Sequence, residues 1–174
     1  MAFLDQISPT VTSYTEVVDT ANDPALPGED FARFNPLTSP TGDVTSFIQL
    51  VLGNGDVGDF GGFIAGNIAL IDRGAIAFTA KVANAEAAGA VGVLIANTTP
   101  SGNGAGLFQG GGDFSVTTIP ALMIGSGLGD DLKAQMLLGD VEMRIQTVNA
   151  IPEPSGSMLA LVALTGFGLF GRRR

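Results

Sequence analysis

Carboxylates carry almost all the proton chemistry this sequence could do. There is no histidine and no cysteine in its 174 residues. That removes thiol nucleophiles, disulfides, the usual zinc sites and the commonest general base. Three short stretches still set polar groups where they could work. In "GNGDVGDFGG" (53–62), Asp56 and Asp59 fall in a Gly-rich turn, and oxygen ligands beside adaptable backbone suit Ca²⁺. A single copy without EF-hand spacing reads equally as a solvated turn, so no metal site is assigned. In "GSGLGD" (125–130), glycines sit between an expected strand and an expected helix, the context of a phosphate loop. The third glycine comes one residue early, an acidic pair follows and no Lys is adjacent, so no nucleotide or other cofactor is assigned. Asn97-Thr98-Thr99 forms a glycosylation sequon, to which no function is assigned. A carboxylate pair could in principle hydrolyse a bond, but sixteen acidic residues before position 150 single out no pair. No catalytic residue is named, and the chain reads as a non-enzyme.

Composition narrows the partners. Residues 1–150 hold five basic side chains (Arg33, Arg73, Lys81, Lys133, Arg144) against sixteen acidic ones, a net of −11. Such a body repels phosphate backbones, which argues against nucleic acid as a partner. The apolar fraction, 45%, is enough for a sizeable core.

The elements that must position these groups follow from periodicity. Residues 1–45 read as a polar, Pro-rich, irregular segment, with "YTEVV" (14–18) as a candidate strand. A strand at 47–52 precedes Asn54-Gly55, a hairpin-type turn. A strand at 67–72 ends in Arg73-Gly74. Phe78, Val82 and Ala85 then recur at helical spacing, with Lys81, Asn84 and Glu86 between them, and Gly89 stops the helix. "AVGVLIAN" is a buried strand, so strand, helix and strand form a βαβ-like unit. A long Gly-rich loop (98–118) leads to the strand "IPALMIG". The next helix carries Leu128, Leu132 and Met136 on one stripe, with Ser126 as its expected N-cap and Asp130 and Asp131 in its first turn. Last comes a strand with Val141, Met143 and Ile145 on one face.

The body resembles a protease-associated (PA) domain. The resemblance rests on Asp72-Arg73-Gly74, Phe78, Lys81, Ala88-Gly89-Ala90, Asn97 and Ile119-Pro120, in that order and spacing. Many PA domains carry Cys two residues after the Arg-Gly pair; here Ile76 occupies that place, and a core position is expected for it. The resemblance implies an α+β fold, a mixed β-barrel or sandwich with two flanking helices. It also implies a non-catalytic module that accompanies subtilisin-like or aminopeptidase-like proteases, or serves in sorting receptors. Its ligand would be a protein or peptide, with the Gly-rich loop 101–115 as a candidate contact. On this reading 1–45 lead into the domain or supply its first strands, 46–148 are its core, and 149–174 form a linker and tail.

The tail has its own logic. From Pro154 to Gly171 eighteen residues carry no charge; as a helix they would span roughly 27 Å, close to a bilayer's hydrocarbon thickness. The run lacks the polar stripe of a core helix. Arg172, Arg173 and Arg174 follow it, a flank that stays cytoplasmic. The order Pro152-Glu153-Pro154, apolar segment, terminal arginines resembles a PEP-CTERM sorting signal. That resemblance implies an exosortase, a membrane cysteine protease, as processing partner. It also implies a C-terminal transmembrane helix and a body on the outer side of a bacterial cell envelope. The first twenty residues show no basic start and no apolar stretch of signal-peptide length. The other expectation is therefore a fragment of a larger secreted, PA-containing peptidase.

Overall fold

The computed structural model describes residues 2–10, 12–14, 31–34, 38–98, 107 and 111–148. Its elements follow in chain order as β1 (Ala2–Ser8), β2 (Thr12–Tyr14), β3 (Phe31–Arg33), β4 (Gly42–Val51), β5 (Ile68–Asp72), α1 (Phe78–Ala87), β6 (Gly92–Ala96), β7 (Ala121–Ile124), α2 (Ser126–Met136) and β8 (Glu142–Thr147). A 3₁₀ turn, Val57–Phe60, lies between β4 and β5.

Among the described residues the strands form one mixed sheet, ordered β2-β1-β8-β4-β5-β6-β7-β3. Strands β4 to β7 run parallel, while β2, β1, β8 and the first half of β4 are antiparallel. Strand β4 serves both regions. Its residues 42–47 pair with β8 and its residues 48–51 pair with β5. The expected α+β architecture, a mixed sheet with two helices, is therefore present.

The helices cover opposite faces. Ile68 and Leu70 of β5 join Leu94, Leu122, Leu128 and Leu132 in the core beneath α2. Ala69 and Ile71 join Val93, Ile95, Val82 and Ala85 in the core beneath α1. A strand buried on both faces must be apolar at every position, which is why "IALI" and "VLIA" show no alternation. Helix α1 ends at Gly89, whose φ of +88° is a conformation that side-chain-bearing residues rarely adopt.

Helix α2 lies close on the sheet. A Cβ built on Gly129 would stand 2.6 Å from Ala96 Cβ in β6. Gly129→Ala gains roughly 1 kcal/mol of helix propensity but forces an overpacked contact that costs about 1–3 kcal/mol. Net destabilisation of about 1 kcal/mol is expected, read as a lower midpoint in urea at unchanged slope. An equal or raised midpoint would show that the helix simply moves outward.

Several expectations need correction. Within 1–45, read as irregular, the described residues form β1, β2, β3 and the start of β4. In β1, Ala2, Leu4 and Gln6 face inward while Phe3 and Ile7 face solvent. The polar residue inside and the apolar ones outside cancel the alternation that marks a strand. Within "YTEVV", Tyr14 ends β2, and 15–18 lie outside the described residues. Asn54-Gly55 does not turn a hairpin, because β4 and β5 are parallel. Gly125, not Ser126, is the N-cap of α2, since the Gly129 N–H donates to the Gly125 carbonyl at 3.0 Å. Asp130 and Asp131 consequently fall beyond the first turn. Ile76 is half-buried rather than a core residue. Of the expected stripes, Val82 and Ala85, Leu128 and Leu132, and Val141, Met143 and Ile145 are buried, while Phe78 and Met136 are half-buried against the same cores.

No helix among the described residues is long and apolar enough to cross a membrane. The expected tail helix, Pro152, Glu153, Pro154 and Arg172 to Arg174 lie outside the described residues, as does most of loop 101–115.

Candidate functional site

Four parallel strands bring their C-terminal ends to one edge of the sheet, the place where open α/β sheets set their ligand crevices. Most of the motif residues gather there. Asp72, Arg73 and Gly74 close β5, Asn97 follows β6, and Phe78 and Lys81 open α1. Gly89 and Pro120 lie at the opposite end. There Gly89 ends α1, and Pro120 precedes β7 and accepts the Val93 N–H at 3.0 Å through its carbonyl.

The side chains at this edge are occupied with one another. Lys81, set by periodicity among the polar positions of α1, is fully buried. Its ammonium donates to the main-chain carbonyls of Asn54 and Asp72, the latter at 3.0 Å. Burial pushes its pKa below the ordinary 10.5, while Asp72, Asp59 and Asp56 pull it back. Lys133 of α2 reaches the Asp72 carboxylate at 2.6 Å. Arg73 Nη1 donates to Asn97 Oδ1 at 3.2 Å, and Asn97 is itself 2% exposed. The sequon at Asn97 is thus a packed structural position, closed to a glycan. Ring contacts at 5.4 and 4.9 Å link Phe78 to Phe34 and Phe34 to Phe114 behind this edge.

The loop after β4 is part of the same assembly. A Cβ on Gly74 would stand 1.8 Å from Asn54 Oδ1, so a larger residue there would displace the Asn54 side chain from its present place. Asn84 Nδ2 holds the Gly55 carbonyl at 2.9 Å. Asp59 Oδ2 accepts the N–H groups of Asn54 and Asp56, each at 2.9 Å. The pair considered for Ca²⁺ is therefore arranged as a turn lock. Among the described residues no three Asp or Glu converge as a metal cluster. In "GSGLGD" the glycines likewise serve packing, Gly125 as cap and Gly129 against Ala96.

Sequence reasoning missed Asn54, Asp59 and Lys133 as partners of this edge. Asn54-Gly55 was the available signal, once the strands on either side are known to be parallel. Lys133 carried no signal, because its partner is sixty-one residues away. What the edge offers is a rigid, hydrogen-bonded rim, with no nucleophile set against a base among the described residues.

Comparison with known proteins identifies the fold. The family model of the PA domain matches residues 35–132, more than half of the chain. A solved aminopeptidase from Aneurinibacillus sp. strain AM-1 aligns at 25% identity and a TM-score of 0.63, covering 86% of this chain and 31% of that one. A psychrophilic subtilisin-like protease from the Antarctic psychrotroph Pseudoalteromonas sp. AS-11 shares the fold at 18% identity and a TM-score of 0.52, covering 86% and 33%. The chain spans about a third of the length of each of these solved proteins. No match was found among curated proteins. With the family model covering α1, the parallel strands that carry the motif and α2 as far as Leu132, the chain belongs to the PA domain family.

Proposed function

We propose that this chain is a non-catalytic protein-interaction module, carried at a bacterial cell surface by its C-terminal tail. The observation that carries the first half is the use made of the motif residues. Lys81, Arg73, Asp72 and Asn97 direct their polar atoms at the fold itself. That is the economy of a scaffold presenting a surface, not of a reaction centre. The second half rests on the tail. Pro152-Glu153-Pro154 would be the exosortase recognition region, the apolar run would enter the membrane, and Arg172, Arg173 and Arg174 would remain cytoplasmic.

Fractionation of full-length protein against a variant lacking 152–174 tests the anchoring. Full-length protein is expected in the envelope and the shortened one in a soluble fraction. Identical soluble behaviour of both would remove the anchor from this reading.

A second reading has its own support: 86% of this chain aligns with less than a third of an aminopeptidase. It makes the chain the PA portion of a larger secreted peptidase. An in-frame catalytic domain next to the coding sequence would favour it; an extension holding only a signal peptide would favour the module.

A further inference from the structure

Strand β4 changes partner halfway, and the change leaves part of its edge open. The Ile48 N–H donates to the Val141 carbonyl at 2.9 Å, so Ile48 directs its main chain towards β8. Successive residues of a strand alternate their main-chain groups between its two edges. Leu50 therefore points the same way as Ile48, away from β5. The chain of β8 has by then departed: the N–H of Gly139, which would face Leu50, donates back to Gln135 at 3.2 Å. No described residue bonds the outward N–H and C=O of Leu50.

A cleft of about 210 Å³ runs beside this half-edge. Gln49 to Leu52 line one side of it, and Asp59, Gly61 and Phe63 line the other. The loop wall is fixed in place, because Gln49 Nε2 donates to the Gly62 carbonyl at 3.0 Å and Gln49 Oε1 accepts the Ile64 N–H at 2.8 Å. Leu52, at the rim, is 76% exposed. Asp59 spends Oδ2 on two N–H groups of its own turn, while no described residue bonds its Oδ1. Asp56 and Asp59 stand here against one buried ammonium, Lys81, which leaves the rim net negative.

We propose that this half-edge accepts an extended peptide as an added strand, with an apolar side chain on Phe63 and Leu52 and a basic one at Asp59. The proposal rests on the reading of the chain as an interaction module and names that module's contact. The main chain of the peptide would meet the Leu50 donor and acceptor, as in strand addition to other sheet edges. Side chains two residues apart on a strand share a face and stand roughly 6.6 Å apart. The pattern apolar-x-basic therefore presents both side chains to the one cleft that Phe63 and Asp59 line. The acidic rim favours the cation and rejects an acidic peptide.

The test uses the full chain and a blocked five-residue peptide with valine and lysine two positions apart in a threonine background. A control peptide has glutamate in place of lysine. Hydrogen exchange of the segment 49–52 is followed during titration with each. The lysine peptide is expected to slow exchange there at least five-fold, and the glutamate peptide to leave it unchanged. Leu52→Lys, at a position exposed enough to keep the fold, is expected to weaken the lysine peptide at least ten-fold. Equal effects of both peptides, or protection confined to another surface such as Arg73 and Asn97, overturn the proposal. The second of these leaves the module reading standing, whereas loss of the anchor in fractionation would leave this contact untouched. The peptide comparison needs no variant, so a misfolded Leu52→Lys does not blunt it.

Discussion

Lys81→Ala is expected to lower the unfolding free energy by about 3–5 kcal/mol. Two terms add. Truncating a fully buried long side chain leaves a cavity, which costs about 2–5 kcal/mol for chains of this size. The carbonyls of Asn54 and Asp72 lose their donor, at about 1–3 kcal/mol for a buried unsatisfied group. One term opposes them: the variant no longer buries an ammonium. Asn54 is exposed, so water can replace part of its bond. Lys81→Met keeps the volume and loses only the bonds, so its cost is expected nearer 1–3 kcal/mol. Denaturant unfolding of the three proteins measures this order, and Met as costly as Ala would assign the effect to bonds alone.

The same residue gives a pH signature. Its folded pKa lies below the ordinary 10.5 because burial disfavours the charged form. Between the folded pKa and 10.5 the unfolded chain binds more protons than the folded one, so stability rises with pH in that window. The contribution is fully present above 10.5 and is lost as pH falls through the folded value. A neutral amine still has two N–H groups for the two carbonyls. The stability of the wild-type protein relative to Lys81→Met should therefore increase from neutral pH into the alkaline range. A flat difference would mean that the ammonium is as well accommodated inside as in water.

Gly89→Ala is expected to cost about 2–5 kcal/mol. The φ of +88° imposes roughly 1–2 kcal/mol of backbone strain on a residue with a Cβ. The new Cβ would also lie 2.7 Å from Ala65 Cβ and 3.2 Å from Ala65 Cα, an overpacked contact worth about 1–3 kcal/mol. The neighbouring segment cannot retreat freely, because the Gly66 N–H is bonded to the Gly89 carbonyl at 2.8 Å. Gly89→Asn separates the terms: asparagine tolerates left-handed backbone but keeps the Cβ. An intermediate midpoint is expected for it, and a midpoint equal to that of Gly89→Ala would place the whole cost in packing.

How much of this was legible depends on which face a residue serves. The strands β5 up to Ile71, β6 and β7 carry no polar side chain because a helix or a second core covers each face, and such runs announce themselves. The helix stripes and the Gly89 stop were equally plain. Strand β1 was hidden because its inward Gln6 is satisfied by Gln135 at 2.6 Å and by Tyr14 at 3.0 Å. A buried polar residue with a partner 129 positions away has no local signature. The burial of Lys81 was hidden for the same reason. Its type says surface, and only the two carbonyls waiting inside make burial tolerable.

By itself the sequence determined the class of fold, the PA motif in its order and the absence of histidine and cysteine chemistry. These are properties of residue type and spacing, which need no knowledge of what lies across the sheet. Only the tertiary structure decided that Asn54 and Asp72 share a lysine, that Asp59 locks a turn, and that β4 exchanges β8 for β5 at Ile48. Each of those depends on segments distant in sequence meeting at one edge. The open main chain at Leu50 is the clearest case. Its side chain reads as one more leucine of a strand, and only the departure of β8 beside it leaves a donor and an acceptor without a partner among the described residues.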